Sequence, residues 1–514
     1  MDHIVGRLKK PANRRWKSFL SPRFVEAMLA GHSALGLAFA ALIYIVCLTG
    51  TMSVFKHEIE RWEQPNAPLV GASLTPQPIQ EAVWNGYGQA LIDNAAQQLS
   101  LIAPSPLNPR FVVSYFDSST GNEGAWIVDA NGHFVTRQRA PFAEFVEGLH
   151  TSLHLPQGLG GFIVGLTGVA LLSSLISGLL SHPRMFKDAF QLRWGGSERL
   201  QYADLHNRLA VWGLPFHVLV STTGALLALS TLIIGVLAAA AYQGKPEQAY
   251  AVILGPHARV TNKSGPVPDI PAMIDSVRRD NPGAVFVSAQ IERPGTSGEV
   301  IRVRMRTPHH LAFGNTFFFD GFGKSLGDAG LETGSVGQQI LGALQPAHYG
   351  WFGGLGTKVV YGLLGFALVI VTQSGVAVWL ARRRAKGRPS LLAERLWPTI
   401  IWSQPFAFAL VALQSLRIDD ETLPATYIAA LALSTTVMLA SENREICSDR
   451  LRLLTGLVLA ILVFVHAWIW WRRLSDPIAL SVSVVLLGIA AVITTSSIYS
   501  TFKRVTLPKI LREK

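Results

Sequence analysis

Histidine is the residue type whose placement in this sequence most invites chemistry. The chain carries 14, and four of them open long apolar stretches. His32 stands in Gly31-His32-Ser33-Ala34-Leu35-Gly36 and His206 in Asp204-Leu205-His206-Asn207-Arg208. His150 stands in Leu149-His150-Thr151-Ser152-Leu153-His154 and His348 in Ala347-His348-Tyr349-Gly350. Ionisable side chains at membrane depth are costly, so they mark a function or a buried partner. Imidazole nitrogen is an axial ligand of haem iron, and two such ligands favour electron transfer over oxygen chemistry. Gly36 and Gly50, Gly161, Gly165 and Gly168, and Gly353, Gly354 and Gly356 would let a flat porphyrin approach the backbone. The bland reading makes these interfacial histidines and small-residue helix contacts, which membrane bundles use anyway. For one histidine that reading would prevail; four in matched positions favour ligation of b-type haem.

Three other histidines compete for the same role. His217 follows His206 by eleven residues, which in a continuous helix is about three turns, or roughly 16 Å along one face. It is a candidate third or alternative ligand, or a polar relay. His182 closes the second apolar stretch before Pro183, and His154 lies one turn from His150. His466 reads as a packing or interfacial histidine, and the adjacent His309 and His310 would point apart in a strand. A zinc or copper site is disfavoured, because no cysteine accompanies the four histidines and the inner and outer pairs lie a membrane thickness apart. Cys47 and Cys447 offer neither a disulfide framework nor an iron–sulfur site.

The elements that must position these groups are membrane spans. The 514 residues are 49% hydrophobic and 15% charged, with mean hydropathy +0.31. Uncharged blocks long enough to cross a hydrocarbon core of about 30 Å occur near 29–54, 157–181, 209–241, 355–381, 398–416, 425–441, 453–471 and 478–499. The net charge of +12 could suggest nucleic acid, but the basic residues cluster just outside these blocks. Arg7 to Arg23, Arg184 to Arg208, Arg382 to Arg388 and Lys503 to Lys514 follow the positive-inside pattern. That excludes a nucleic-acid reading and places both termini in the cytoplasm. Only Arg472 and Arg473 fall on the wrong side. The first block starts too late and runs too long for a cleaved secretory signal.

Two long polar segments then face outward. The first predicts a helix near 77–99, a strand over Arg110–Phe116, and a hairpin pairing Ala125–Asp129 with His133–Arg137 across Ala130-Asn131-Gly132. The second predicts a helix near 270–280 and strands over Val285–Glu292, Val300–Arg306 and Asn315–Asp320. Span, small α+β module, span is thus an internal repeat. The expected fold class is an all-α polytopic membrane protein of about eight transmembrane helices, with a four-helix haem-binding core and two small α+β extracytoplasmic modules. The expected divisions are a basic cytoplasmic segment (1–28), span one (29–54), the first module (55–150), spans two and three with their basic loop (151–241), the second module (242–350), span four (351–384) and four further spans with a basic tail (385–514).

The motifs around the four histidines resemble the PepSY-associated transmembrane-helix family, which includes iron-regulated membrane proteins and inner-membrane ferrisiderophore reductases. The matching stretches run from Gly31-His32 to Leu48-Thr49-Gly50, through Leu149-His150-Thr151-Ser152-Leu153, and from Asp204-Leu205-His206-Asn207-Arg208-Leu209 to Thr223-Gly224. The last runs from His348-Tyr349-Gly350-Trp351-Phe352-Gly353-Gly354 to Gly375 and Arg382-Arg383. The likeness covers roughly residues 25–390, and the outer modules look like PepSY-type units. Ser33 and Ala34 stand where the family often has a histidine or an arginine–tryptophan pair. The resemblance implies a multi-pass protein of the bacterial inner membrane holding two b-type haems. On the matched positions its iron ligands would be His32, His150, His206 and His348, and depth alone pairs His32 with His206 inside and His150 with His348 outside.

The function expected is then electron transfer across the membrane to an outer acceptor, with ferric iron in a siderophore as the acceptor and Tyr349, Trp351 and Phe352 near it. No strand–Gly-x-Gly-x-x-Gly–helix unit appears, so a quinol or a separate cytoplasmic reductase would be the electron donor. Two other readings are a non-redox PepSY protein that regulates a protease or scaffolds a partner, and an iron or siderophore permease. Against the permease, the spans lack acidic residues for proton coupling.

Overall fold

The computed structural model describes residues 21–181, 190, 197–261, 263–308, 310–417, 420–441, 444–472 and 476–510. The chain opens with α1 (Pro22–Ala38), α2 (Ala40–Ser53), α3 (Lys56–Glu63) and α4 (Pro76–Ile92). Strands β1 (Gln98–Ile102), β2 (Phe111–Asp117), β3 (Asn122–Val128) and β4 (Phe134–Arg137) follow, then α5 (Pro141–Ser152) and α6 (Gln157–Ser181). Next come α7 (Glu198–Trp212), α8 (Leu214–Ala228), α9 (Ser230–Ala241), α10 (Pro246–Leu254) and α11 (Ile270–Asp280). Strands β5 (Val285–Glu292), β6 (Val300–Arg306), β7 (Asn315–Asp320) and β8 (Ser325–Asp328) lead to α12 (Val336–Tyr349) and α13 (Gly354–Ala385). The last helices are α14 (Leu391–Ser415), α15 (Leu423–Ala440), α16 (Arg444–Trp470) and α17 (Pro477–Ile510).

Six helices among the described residues are long and apolar enough to cross a membrane: α6, α13 and the four from α14 to α17. Two bent pairs bring the number to eight, α1 with α2 at 68° and α7 with α8 at 70°. This is a multi-pass membrane protein. The stretch 209–241, expected as one span, is instead the end of α7 followed by α8 and α9, broken at Gly213 and Leu229. Gly213 weakens the helix, and Pro215 cannot donate to the carbonyl four residues back. The break also overturns the expectation that His206 and His217 share one helical face, since they lie on opposite sides of a 70° bend.

The two outer segments do not form separate modules. Their strands join in one antiparallel sheet of order β4-β3-β2-β1-β5-β6-β7-β8. The seam pairs β1 with β5, setting Leu99 opposite Ile291 and Leu101 opposite Ala289. All four side chains are buried with Ile79, Val83, Ile274 and Val277 of α4 and α11, which cover that face. Alternation with period two puts Gln98, Ser100, Gln290 and Glu292 on the other face. Strands β5, β6 and β7 have the bounds expected from sequence. The β3–β4 turn reverses where Gly132, at φ 93°, packs so near Pro78 that a Cβ would lie 2.5 Å from its carbonyl oxygen. Strands β1 and β8, and helices α5 and α12, are additions to the expected elements.

The last four spans pack among themselves and meet the rest through α14 and, against α3, through α17. Tyr44 of α2 donates to the Ile401 carbonyl (3.0 Å) and meets Trp397 edge-on.

Candidate functional site

The four expected histidines fall into two pairs. His32 of α1 meets His206 of α7 with ring centroids 6.1 Å apart and ring planes at 68°. His150 of α5 meets His348 of α12 at 6.2 Å with planes at 17°. The inner-outer pairing expected from depth alone is therefore the pairing by distance. One detail differs. His150 and His348 do not begin spans; each lies near the end of a short helix that precedes one, and the spans start at Gln157 and Trp351.

All four rings are anchored in the same way. Nδ1 of His32 lies 2.8 Å from the Ser174 carbonyl, Nδ1 of His206 2.8 Å from that of Val371, and Nδ1 of His150 3.0 Å from that of Val46. His348 bonds the Val220 carbonyl and the Thr223 hydroxyl, the latter at 3.0 Å. Each of these carbonyls lies four residues before a glycine: Gly178, Gly375, Gly50 and Gly224 respectively. The histidine ring rests on that glycine. A Cβ there would lie 3.0 Å from His32, 3.1 Å from His206, 2.6 Å from His150 and 2.8 Å from His348. Each glycine follows a hydroxyl residue (Ser177, Ser374, Thr49, Thr223) that turns its own O–H back onto a carbonyl of the preceding turn.

The physical logic of this seat is plain. A side chain at the glycine would keep the imidazole away from the helix, and without one the ring reaches the backbone. Donating Nδ1–H to a carbonyl assigns the proton to Nδ1 and leaves Nε2 as the free lone pair. Two imidazoles bound trans through Nε2 at about 2.0 Å from a metal have ring centroids roughly 6 Å apart. Both pairs meet that spacing. Among the described residues no group of three or more histidine, cysteine or acidic side chains converges. The donor sets are two imidazoles each, too few for a protein-only zinc site and sufficient for a metal whose other ligands come from a macrocycle.

The outer pair also opens on a cavity of about 1090 Å³. Its walls are apolar and include Gly161, Gly168 and Phe216, and its lining also includes Lys56, Gln157 and Gln345. Lys56 pairs with Glu147 at 2.6 Å and with Glu60 at 3.7 Å. An aromatic shelf adjoins the pair: Tyr349 lies 5.8 Å from His348 and 4.9 Å from Trp351, which touches His57 at 4.5 Å and Phe313 at 5.9 Å.

Of the alternative ligands, His154 and His217 are not brought to a second histidine among the described residues. His154 follows Leu153 in the left-handed region (φ 53°) and folds back onto α5. There its Nε2 meets the Phe145 carbonyl at 2.8 Å and its ring stacks on Phe145. His217 is fully buried, 3.4 Å from the Leu364 carbonyl, with Nδ1 unpartnered. His182 and His309 lie outside the described residues, and His310 is exposed. His466 stacks on Trp62 at 4.3 Å. Of the glycines expected to admit a porphyrin, only Gly50 is a seat; Gly165 instead receives Leu229. The Ser177-Gly178 seat was missed. Its signal was a hydroxyl residue followed by glycine, which occurs once in each of α2, α8 and α13 and twice in α6, where Thr167-Gly168 faces Ala225 instead of a histidine.

The family model of the PepSY-associated TM region matches residues 29–382. The uncharacterized protein PA4219 of Pseudomonas aeruginosa is 29% identical over 292 residues, covering 54% of this chain and 71% of the relative.

Proposed function

This chain belongs to the PepSY-associated TM region family, and from that premise we propose that it is a di-haem b-type membrane oxidoreductase. It would pass electrons across the bacterial inner membrane to an outer acceptor, ferric iron held by a siderophore. The observation that carries the reading is the doubled pairing of imidazoles, 6.1 Å and 6.2 Å apart, with each Nδ1 hydrogen-bonded to the protein, which assigns the lone pair to Nε2. Bound haem supplies a one-electron iron couple. The chain's part is to fix imidazole position and tautomer, through the four carbonyls at Ser174, Val371, Val46 and Val220, and to surround the pairs with apolar helix. His32 and His206 would hold the inner group, His150 and His348 the outer. The shelf of Tyr349 and Trp351 adjoins the side an acceptor would approach. A quinol or a separate cytoplasmic reductase would be the donor.

Reduced-minus-oxidised spectra of detergent-purified protein test this. Two low-spin b-type haems per chain are expected; a colourless preparation from haem-replete cells would sink the reading. Reduction of a ferric siderophore by the pre-reduced protein tests the acceptor separately.

A further inference from the structure

Helix α5 carries His150 yet has only 12 residues, about 18 Å of helix. A helix of that length is marginal by itself, so its place is set by what it packs against. On one side it meets α2 and α6; on another it meets α14 and the start of α15, which lie beyond the matched family region. Phe142, Phe145, Val146 and Leu149 share one buried cluster with Phe408 of α14 and Tyr427 of α15. The ring of Phe145 stands 5.4 Å from Tyr427 and 6.5 Å from Phe408, and Tyr427 is fixed by donating to Gln404.

A second linkage runs through α3. Arg61 makes a two-pronged ion pair with Asp476 (2.6 and 2.8 Å). Trp62 stacks on His466, which bonds the Trp62 carbonyl at 2.6 Å, and its indole N–H donates to Ser483 (3.0 Å). The next residue, Glu63, accepts the N–H groups of Phe142 and Ala143 at the start of α5 (2.8 and 3.0 Å). Both routes end on α5. The inner pair has a slighter tie, Trp397 donating to the Gln373 carbonyl (3.3 Å) beside the Ser374-Gly375 seat.

We propose that the C-terminal four-span unit is a brace for the outer pair, with Tyr427 and His466 as positioning residues that hold α5 and thereby His150. The haem arm of its test rests on the di-haem reading; the exchange arm does not. The full-length protein carrying Tyr427→Ala or His466→Ala is compared with wild type by hydrogen exchange. Loss of a packed aromatic is large enough to speed exchange in 141–152 by at least about tenfold, with 198–212, which carries His206, unchanged. Equal exchange in 141–152 overturns the brace whether or not haem is present. Where haem is bound, the same variants should change the paramagnetic resonance signal of the haem that His150→Ala abolishes, and leave the other intact. An unmoved outer signal despite faster exchange also overturns it, because α5 would then be held without setting ligand geometry. Change in both signals together would mean general unfolding and counts against a selective brace.

Discussion

The inner and outer pairs share one seat design and differ in almost everything around it. Both hang two imidazoles on glycine-backed carbonyls, and both separate the rings by about the same distance. Yet the inner rings cross at 68° and the outer rings at 17°. Both inner histidines lie on the first legs of bent spans, α1 and α7. The outer ones lie on short helices, α5 and α12, which connect the sheet layer to the spans. The outer pair faces the cavity, Lys56 and the aromatic shelf. The lesson is that ligand spacing is set locally, by the seat, whereas ring orientation is set by the helix that presents the ring.

The largest effects should come from the ligands. His32→Ala or His206→Ala should each halve the haem content, and so should His150→Ala or His348→Ala, but with different survivors. Crossed imidazole planes leave the iron d orbitals closer in energy than near-parallel planes, which widens the spread of g values in the oxidised state. The haem surviving His150→Ala should therefore show the more anisotropic signal, and the haem surviving His32→Ala the less anisotropic one. Identical signals would erase the distinction between the pairs. His217→Leu and His154→Gln should retain both haems, since neither ring meets a second histidine.

A smaller effect separates the seats themselves. Alanine at Gly50 or Gly224 would put a methyl 2.6 or 2.8 Å from a ring carbon, so the histidine must move. Overpacking of that kind costs about 1–3 kcal/mol. At Gly178 and Gly375 the nearest ring atoms are 3.0 and 3.1 Å away, which a few tenths of an ångström relieves. There the gain in helix propensity from glycine to alanine, up to about 1 kcal/mol, offsets the crowding. Gly50→Ala and Gly224→Ala should thus weaken haem retention by about tenfold or more, a factor worth about 1.4 kcal/mol. Gly178→Ala and Gly375→Ala should leave it near wild type. Equal losses at all four positions would show the outer seats to be no tighter than the inner.

Much of this was legible in the sequence because it rests on local rules. Apolar block length gave the eight spans, two of them as bent pairs. Short runs rich in β-branched and aromatic residues gave β5, β6 and β7 to the residue. Histidines at span entries, read by depth, gave both pairs. What escaped depends on long-range partners. Nothing local in Gln98–Ile102 says that it pairs with Val285–Glu292 across nearly two hundred residues, so the single sheet was read as two modules. Helices α5 and α12 were hidden because they are short and amphipathic beside long apolar neighbours. The bend at Gly213 was signalled by Gly213 and Pro215 but outweighed by continuous hydrophobicity. The glycine seats sit in plain view as hydroxyl–glycine pairs, and they gain meaning only when a histidine from another helix lands on them.

The seats' hydroxyls allow the finest comparison. In the outer seat Thr223 lies 3.0 Å from His348 Nδ1 while its own O–H goes to the Leu219 carbonyl, so it accepts from the imidazole. In the inner seat Ser374 is 3.5 Å from His206 Nδ1, whose main partner is the Val371 carbonyl at 2.8 Å. A hydrogen bond accepted from Nδ1–H makes the imidazole a stronger donor to iron and favours the oxidised state. Removing one worth about 1 kcal/mol corresponds to roughly 40 mV for a one-electron couple. Thr223→Val keeps the branched shape and deletes the acceptor, so it should raise one of the two midpoint potentials by up to that amount. Ser374→Ala should move neither, because at 3.5 Å its hydroxyl adds little to the bond between His206 Nδ1 and the Val371 carbonyl. A potentiometric titration of both variants decides the matter. Equal shifts would mean that the hydroxyls, and not the carbonyls alone, tune both sites alike.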